Sequence, residues 1–412
     1  MKILIDLQGY QSASRNRGIG RYSLAFAKAV AKNAGRHEVW LLLNGLFPDT
    51  LDPIRDEFFG LIPYEHIIIF HVPGPVAEMH PANSVRARTA ELMREEMIAK
   101  LKPDIVHLTS LFEGHLDDAV TSIGLLKNQI ATSVIVYDLI PFLYPDIFLV
   151  DEIYKTYYLK KIDSLKRANL MLSISSSSGE EAISSLSLDS ERIVNVSSAA
   201  DNRFRVIPDA SELAGPVLSR YGICTPFIMS ASVIEPRKNQ KALIDAFLLL
   251  PCSIRITHQL VLVGHVTDSE RVTLQNYTAS LGLHDSSLIM TGYLPDEELV
   301  LLYNLCELFV FPSLHEGFGL PLLEAMSCGA PVIGSNASSI PEVIGMKEAL
   351  FDPSSPKDIA ILMEKALTDR SWLGTLRQHA LFQSARFSWD ETARKAIQAF
   401  EKLNEGKINP LP

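Results

Sequence analysis

The chain has 412 residues and only four cysteines: Cys224, Cys252, Cys306 and Cys328, all in its second half. None forms a C-x-x-C pair and no paired-histidine motif accompanies them. That points away from a structural zinc site and from a disulfide framework, and towards reduced thiols. No apolar run reaches about 18 residues, the length a membrane-spanning helix needs. The longest, residues 299–314, is interrupted by Asn304 and Glu307. The opening MKILIDLQGY is too short in apolar residues for a secretory signal and carries an early aspartate. Positive charge is also in deficit: 38 Lys and Arg stand against 48 Asp and Glu, a formal net charge of −10. A nonspecific nucleic-acid binder usually has the opposite balance, so no nucleic-acid partner is expected. The chain contains no Asp-x-Asp pair, one common way of presenting a divalent cation, and no G-x-G-x-x-G, which leaves a dinucleotide dehydrogenase unsupported. These absences predict a cytosolic protein without a bound metal.

What the chain does have is alternation. Short Val-, Ile- and Leu-rich runs at residues 2–7, 38–43, 66–72, 104–109, 133–139 and 170–175 read as buried strands. Helical patterns lie between several of them, at 21–32, 84–101 and 152–167. The pattern then restarts. Strands are expected at 227–232, 259–264, 288–292, 308–312 and 331–335, with helices at 240–250, 269–281, 296–304 and 320–327. Alternation of this kind predicts an α/β fold with parallel sheets. At roughly 150 residues per domain the length suits two or three domains, and the restart selects two. The Pro- and Gly-containing segment 205–215 is the expected linker, and 389–403 reads as a final amphipathic helix. The helix at 152–167 interleaves Tyr154, Tyr157 and Tyr158 with basic residues. It suits a sheet-covering helix with a charged outer face better than a lipid-binding one.

Four stretches carry chemistry. In residues 307–335 a strand ends near Pro312, a loop carries His315, Glu316, Gly317, Phe318 and Gly319, and a helix opens at Leu320 with Pro321 in its first turn. The free N–H groups of a helix start favour a phosphate. Glu316 and Glu324 can accept hydrogen bonds from sugar hydroxyls. The second stretch, residues 232–239, places Arg237 and Lys238 side by side after a strand, where fixed cations stabilise a leaving group that gains negative charge. The third, Ser14–Tyr22, puts Gly18 and Gly20 just before a helix, where a backbone cradle for an anion fits. Its Arg15, Arg17 and Arg21 either hold that anion or are solvated. The fourth, residues 134–141, brings Asp138 to a strand end.

Glu316 to Glu324 resembles the E-x7-E motif of the retaining glycosyltransferases of family 4, and Ala325–Val332 is similar to that family's continuation. The resemblance implies a GT-B fold: two Rossmann-like, doubly wound domains facing a cleft, with the C-terminal helix crossing back to the first. The expected boundaries are 1–205 for the acceptor-binding domain, 206–385 for the nucleotide-sugar domain and 386–412 for the returning helix. It further implies that Glu324 binds the nucleotide ribose and Glu316 lies beside the donor sugar. The backbone at Gly317, Phe318, Gly319 and Leu320 would contact sugar and diphosphate, and Arg237 and Lys238 would clamp the diphosphate. Gly264 and Tyr293 fall where the family places the base. The loop with Gly18 and Gly20 resembles the one that approaches the donor phosphates, and its GIGRY form is similar to that of bacterial polysaccharide mannosyl- and rhamnosyltransferases.

One departure stands out. Many family members carry His-Asp-Leu where this chain has Tyr137-Asp138-Leu139. Asp138 is then a candidate for catalysis near the acceptor or for binding sugar hydroxyls, and Tyr137, His107 and Glu113 are acceptor-side candidates, with His115 beside them. The implied activity is retaining transfer of a sugar, with mannose from GDP-mannose the first choice, to a lipid-linked saccharide in bacterial O-antigen synthesis. Rhamnose or glucose donors stay open. So do a nucleotide-sugar epimerase of the same fold and an inactive nucleotide-sugar-binding partner. No cofactor is implied. A peripheral contact with the inner face of the cell membrane fits a lipid-linked acceptor.

Overall fold

The computed structural model describes residues 1–126 and 130–406. The chain forms two compact units: residues 1–198 together with the segment from Ser388 onward, and residues 199–387. Residues 407–412, the end of the expected third segment, lie outside the described residues.

The first unit is built on seven parallel strands: β1 (Lys2–Asp6), β2 (Glu38–Asn44), β3 (Ile67–Phe70), β4 (Ile105–Leu108), β5 (Ala131–Val136), β6 (Leu170–Ser173) and β7 (Ile193–Asn195). Their order across the sheet is β3-β2-β1-β4-β5-β6-β7. β4 and β6 are buried at every position, as strands covered on both faces by helices must be. The Ser84–Leu101 and Glu152–Lys166 helices supply part of that cover. From the second, Tyr157, Tyr158, Ile162 and Leu165 enter the core, and Lys161 turns inward to donate to the Thr121 carbonyl at 2.6 Å.

The final helix, Trp389–Asn404, belongs to this unit and lies along the Gly18–Asn33 helix. The Trp389 ring meets Tyr22 edge-on at 5.0 Å, Asn33 donates to Asp390 at 2.8 Å, and His37 bonds Glu401 at 2.9 Å.

The second unit repeats the plan with β8 (Phe227–Ala231), β9 (Gln259–Val263), β10 (Leu288–Gly292), β11 (Leu308–Phe311), β12 (Val332–Ser335) and β13 (Leu350–Phe351). The order is β10-β9-β8-β11-β12-β13, again parallel throughout. Each sheet therefore reverses its winding once, between β1 and β4 in the first unit and between β8 and β11 in the second. Ligands of open α/β sheets bind at that reversal, beyond the carboxyl ends of the strands.

Three expectations are corrected. β7 and β13 extend the sheets beyond the expected strands. The segment 205–215 is no free linker: Asn304 accepts the Ile207 N–H at 2.8 Å and donates to the Arg205 carbonyl at 3.0 Å, fastening it within the second unit. The division falls at 198/199 and 387/388, not at 205/206 and 385/386.

Candidate active site

In the second unit, the loops after β8 and β11 meet at the winding reversal. Leu314 donates its N–H to the Arg237 carbonyl at 2.8 Å. Asn239, in the left-handed region at φ 60°, donates from its side chain to the Pro312 and Pro353 carbonyls at 3.1 and 2.8 Å. These bonds fix a short turn, Pro236–Lys238, against the loop carrying Glu316.

That second loop is itself braced from behind. The Glu316 N–H reaches the Ser338 hydroxyl at 2.8 Å, and the Ser339 hydroxyl bonds the Glu316 and Phe318 carbonyls at 3.0 and 2.9 Å. The Phe318 side chain is buried and meets Phe387 edge-on, so only its backbone is positioned for a ligand. Gly317 is buried with it. Gly319 caps the Leu320–Ser327 helix at φ 99°, a conformation that strains any residue with a side chain. Pro321 sits in the first turn, where its missing N–H removes no bond.

The two loops bring four charges together. Lys238 Nζ lies 2.6 Å from Glu316 Oε1, and Arg237 donates to Glu316 Oε2 at 3.1 Å and to the His315 carbonyl at 2.7 Å. Arg237 also pairs with Glu235 at 3.2 Å. Burial alone would push the Glu316 carboxyl upward. The positive charges of Lys238 and then Arg237 outweigh it and hold the carboxyl below its usual range, so Glu316 is ionised at neutral pH. With two cations and two carboxylates the cluster is close to neutral. Glu235 was not among the expected site residues, although it stands two positions before Arg237. Ser338 and Ser339 carried no signal in the sequence either.

Glu324 lies one turn into the Leu320–Ser327 helix, and the Tyr303 hydroxyl is 3.4 Å from its Oε2. Gly264 follows β9 and donates to the Gly292 carbonyl at 3.1 Å. Tyr293 follows β10 and is 69% exposed. All these residues share the carboxyl edge of the second sheet.

The remaining candidates occupy the corresponding edge of the first sheet. Gly18 begins the long helix after β1. At Gly20 a Cβ would stand 2.4 Å from the Arg15 carbonyl oxygen and 2.5 Å from that of Ser14, so glycine is required where the loop folds back over the helix. Arg17 and Arg21 are exposed, and Arg15 lies 3.6 Å from Asp49. Glu113 is buried, accepting from Ser110 at 2.8 Å and Ser14 at 3.1 Å, and its carboxyl is pushed up by burial. Asp138 accepts the Ile140 N–H at 3.1 Å, at the start of a short helix. The Tyr137 hydroxyl donates to the Thr109 carbonyl at 2.8 Å. His107 is the exception. It has no exposed surface, packs against Phe26 and Phe400 at 4.8 and 5.4 Å, and burial lowers its imidazole to about 3. It is a neutral core side chain, out of reach of an acceptor. Among the described residues, no group of three or more His, Cys, Asp or Glu is arranged to hold a metal ion.

Residues 225–383 match the sequence model of the family described as glycosyl transferases group 1. The O-antigen chain mannosyltransferase B of Escherichia coli is 30% identical over 395 residues, covering 94% of this chain and 96% of that protein. The chain belongs to the glycosyl transferases group 1 family. Its fold is GT-B, shared with Anabaena Alr3699/HepE in complex with UDP and glucose (TM-score 0.67, 20% identity, 98% of this chain and 100% of that one). Sucrose-phosphate synthase from Thermosynechococcus elongatus has it too (TM-score 0.71, 18% identity, 98% and 100%). The serotype-specific mannosyltransferase WbdA of Escherichia coli is 43% identical over 404 residues, covering 98% of this chain but 48% of that protein. The chain thus spans about half the length of the WbdA proteins it matches.

Proposed function

We propose that this chain is a retaining mannosyltransferase that moves mannose from GDP-mannose to a lipid-linked oligosaccharide during O-antigen assembly. The observation that carries the reading is the cluster of Arg237, Lys238 and Glu316 beside the Gly319 helix entry. It joins two cations, a buried carboxylate and the start of a helix at one winding reversal. The choice of mannose is supported by the names of WbdA and the O-antigen chain mannosyltransferase B.

In this reading the diphosphate draws Lys238 and Arg237 partly away from the carboxylates and lies against the helix entry at Gly319 and Leu320. Glu324 takes the ribose hydroxyls, and Gly264 and Tyr293 flank the base. Glu316, released from part of its ion pairing, accepts from the mannose hydroxyls. The bond from mannose C1 to the β-phosphate oxygen breaks while the acceptor oxygen bonds to C1 on the same face. The acceptor proton passes to a β-phosphate oxygen, so GDP leaves and the anomeric configuration is kept. The two cations stabilise the charge that accumulates on the diphosphate. No cofactor or metal takes part.

No helix among the described residues is long and apolar enough to cross a membrane. A peripheral contact on the cytoplasmic face fits the exposed Tyr144, Ile147, Val150 and Ile153, which crowd one short stretch of the first unit.

The test is incubation of the purified chain with GDP-mannose, UDP-glucose or a rhamnose donor, with and without an oligosaccharide acceptor, followed by NMR of the product. The expected result is an α-mannoside formed from GDP-mannose only when acceptor is present. Isomerised sugar without acceptor identifies an epimerase, and inverted product or no transfer refutes the reading.

A further inference from the structure

At position 137 the family's histidine is replaced by tyrosine, and the hydroxyl is already engaged. It donates to the Thr109 carbonyl at 2.8 Å, just beyond β4, and lies 3.4 Å from the Ile19 carbonyl, in the first turn of the Gly18–Asn33 helix. It is also 3.3 Å from the Ser23 hydroxyl, which itself donates to the Ile19 carbonyl at 2.8 Å. The ring stands edge-on to Tyr22, 5.3 Å away. The phenol thus gives its one proton to the end of β4 and meets the helix that follows β1 at the Ser23 hydroxyl and the Tyr22 ring.

A second set of bonds holds the loop from its other side. Ser14 donates to Glu113 at 3.1 Å, and the Ala13 N–H to Asp117 at 2.6 Å. The Ser14 carbonyl then accepts the Gly20 N–H at 3.2 Å. The loop at residues 12–20 is thus fastened at Ala13 and Ser14 by Asp117 and Glu113, and the helix it enters is held at Ser23 and Tyr22 by Tyr137. The protein's own side chains hold its glycine-lined backbone, which is the arrangement that lowers the ordering cost of binding.

We infer that Tyr137 is a positioning residue for the glycine-rich loop and makes no contact with the donor sugar. This rests on the reading that the loop takes donor phosphates. The phenol acts on the loop through Thr109 on one side and Ser23 and Tyr22 on the other, and is indifferent to the sugar.

The test compares wild type with Tyr137→Phe, which keeps the ring and removes the hydroxyl. Calorimetry with GDP and with GDP-mannose is expected to show the same loss of affinity for both, about two- to tenfold, the range of one neutral hydrogen bond. KM for GDP-mannose should rise by the same factor with kcat unchanged. Loss for GDP-mannose with GDP unaffected would mean direct sugar contact and overturn the inference. Amide hydrogen exchange on the ligand-free proteins provides a readout that needs no donor. Faster exchange confined to residues 18–24 of the variant is expected, and unchanged protection there overturns the inference whatever the ligand does. Wild type that binds neither GDP nor GDP-mannose instead refutes the proposed function, leaving the exchange result to decide the role of Tyr137.

Discussion

Replacing Lys238 by methionine removes one charge from the proposed active-site cluster while keeping most of the side-chain volume. Lys238 Nζ is 2.6 Å from Glu316 Oε1, and only 11% and 8% of the two side chains are exposed. The bond is therefore charge-assisted and largely dry. Glu316 keeps Arg237 at 3.1 Å, so the variant does not leave a carboxylate unpaired. The stability loss should be that of one hydrogen bond to a charged group, about 1.5–3 kcal/mol. For a unit of this size each kcal/mol lowers the melting temperature by roughly 2–4 °C, so the variant stays folded at 25 °C. The catalytic loss is larger: removing one preorganised donor aimed at developing charge costs about 100- to 1,000-fold in kcat.

The two effects are read separately, by thermal melting and by initial rates of mannosyl transfer under saturating donor. The pH profile adds a third reading. The Glu316 carboxyl is held down against burial chiefly by Lys238. With that cation gone its acid limb should move to higher pH, because a depressed carboxyl is lost as pH falls through its folded value. Transfer within threefold of wild type, with normal melting, would refute the assignment of Lys238 to the leaving group.

Other outcomes follow from the same geometry. His107, lowered to about 3 from an ordinary 6.5, must stay neutral in the fold. The unfolded chain binds its proton between those values, so stability falls as pH drops below 6.5, by ~2 kcal/mol at pH 5. Denaturant melts of His107→Leu should show that much less pH dependence. Gly20→Ala would drive a Cβ into the Ser14 and Arg15 carbonyls. An overpacking loss of about 1–3 kcal/mol and weaker GDP binding should result, measured by melting and calorimetry. Ile147 and Val150 are 60% and 71% exposed, so Ile147→Asp with Val150→Asp should leave melting unchanged. Co-sedimentation with vesicles containing phosphatidylglycerol should drop about tenfold or more, and equal sedimentation would remove this stretch from the membrane contact.

The Ile3–Ile5 centre of KILID and the whole of LFVF are continuous, apolar and buried, which is why composition alone exposed them. β13 has two residues and β7 is half-buried along its length; neither leaves a periodic trace. The charged cluster was legible because Arg237, Lys238 and Glu316 lie in local motifs. The bracing serines at 338 and 339 act through backbone bonds that no pattern of side-chain types reveals. His107 misled because a histidine in a strand looks alike whether it faces a ligand or the rings of Phe26 and Phe400. The segment 205–215 misled because its proline and glycine suggest freedom, whereas its restraint comes from Asn304, nearly a hundred positions away.

The return of Trp389–Asn404 to the first unit sets the order in which this protein is completed. The second unit is one uninterrupted stretch and can close on itself as soon as Phe387 has left the ribosome. The first unit starts earlier and finishes later. Its Tyr22, Asn33 and His37 wait for Trp389, Asp390 and Glu401. During synthesis one face of the Gly18–Asn33 helix therefore stays uncovered while some 350 residues are added, and that interval is when the chain is most exposed to aggregation and to proteases. For anyone dividing the molecule, residues 199–387 form a natural fragment. The first unit survives only if the excised stretch is replaced by a linker that lets its last helix come home.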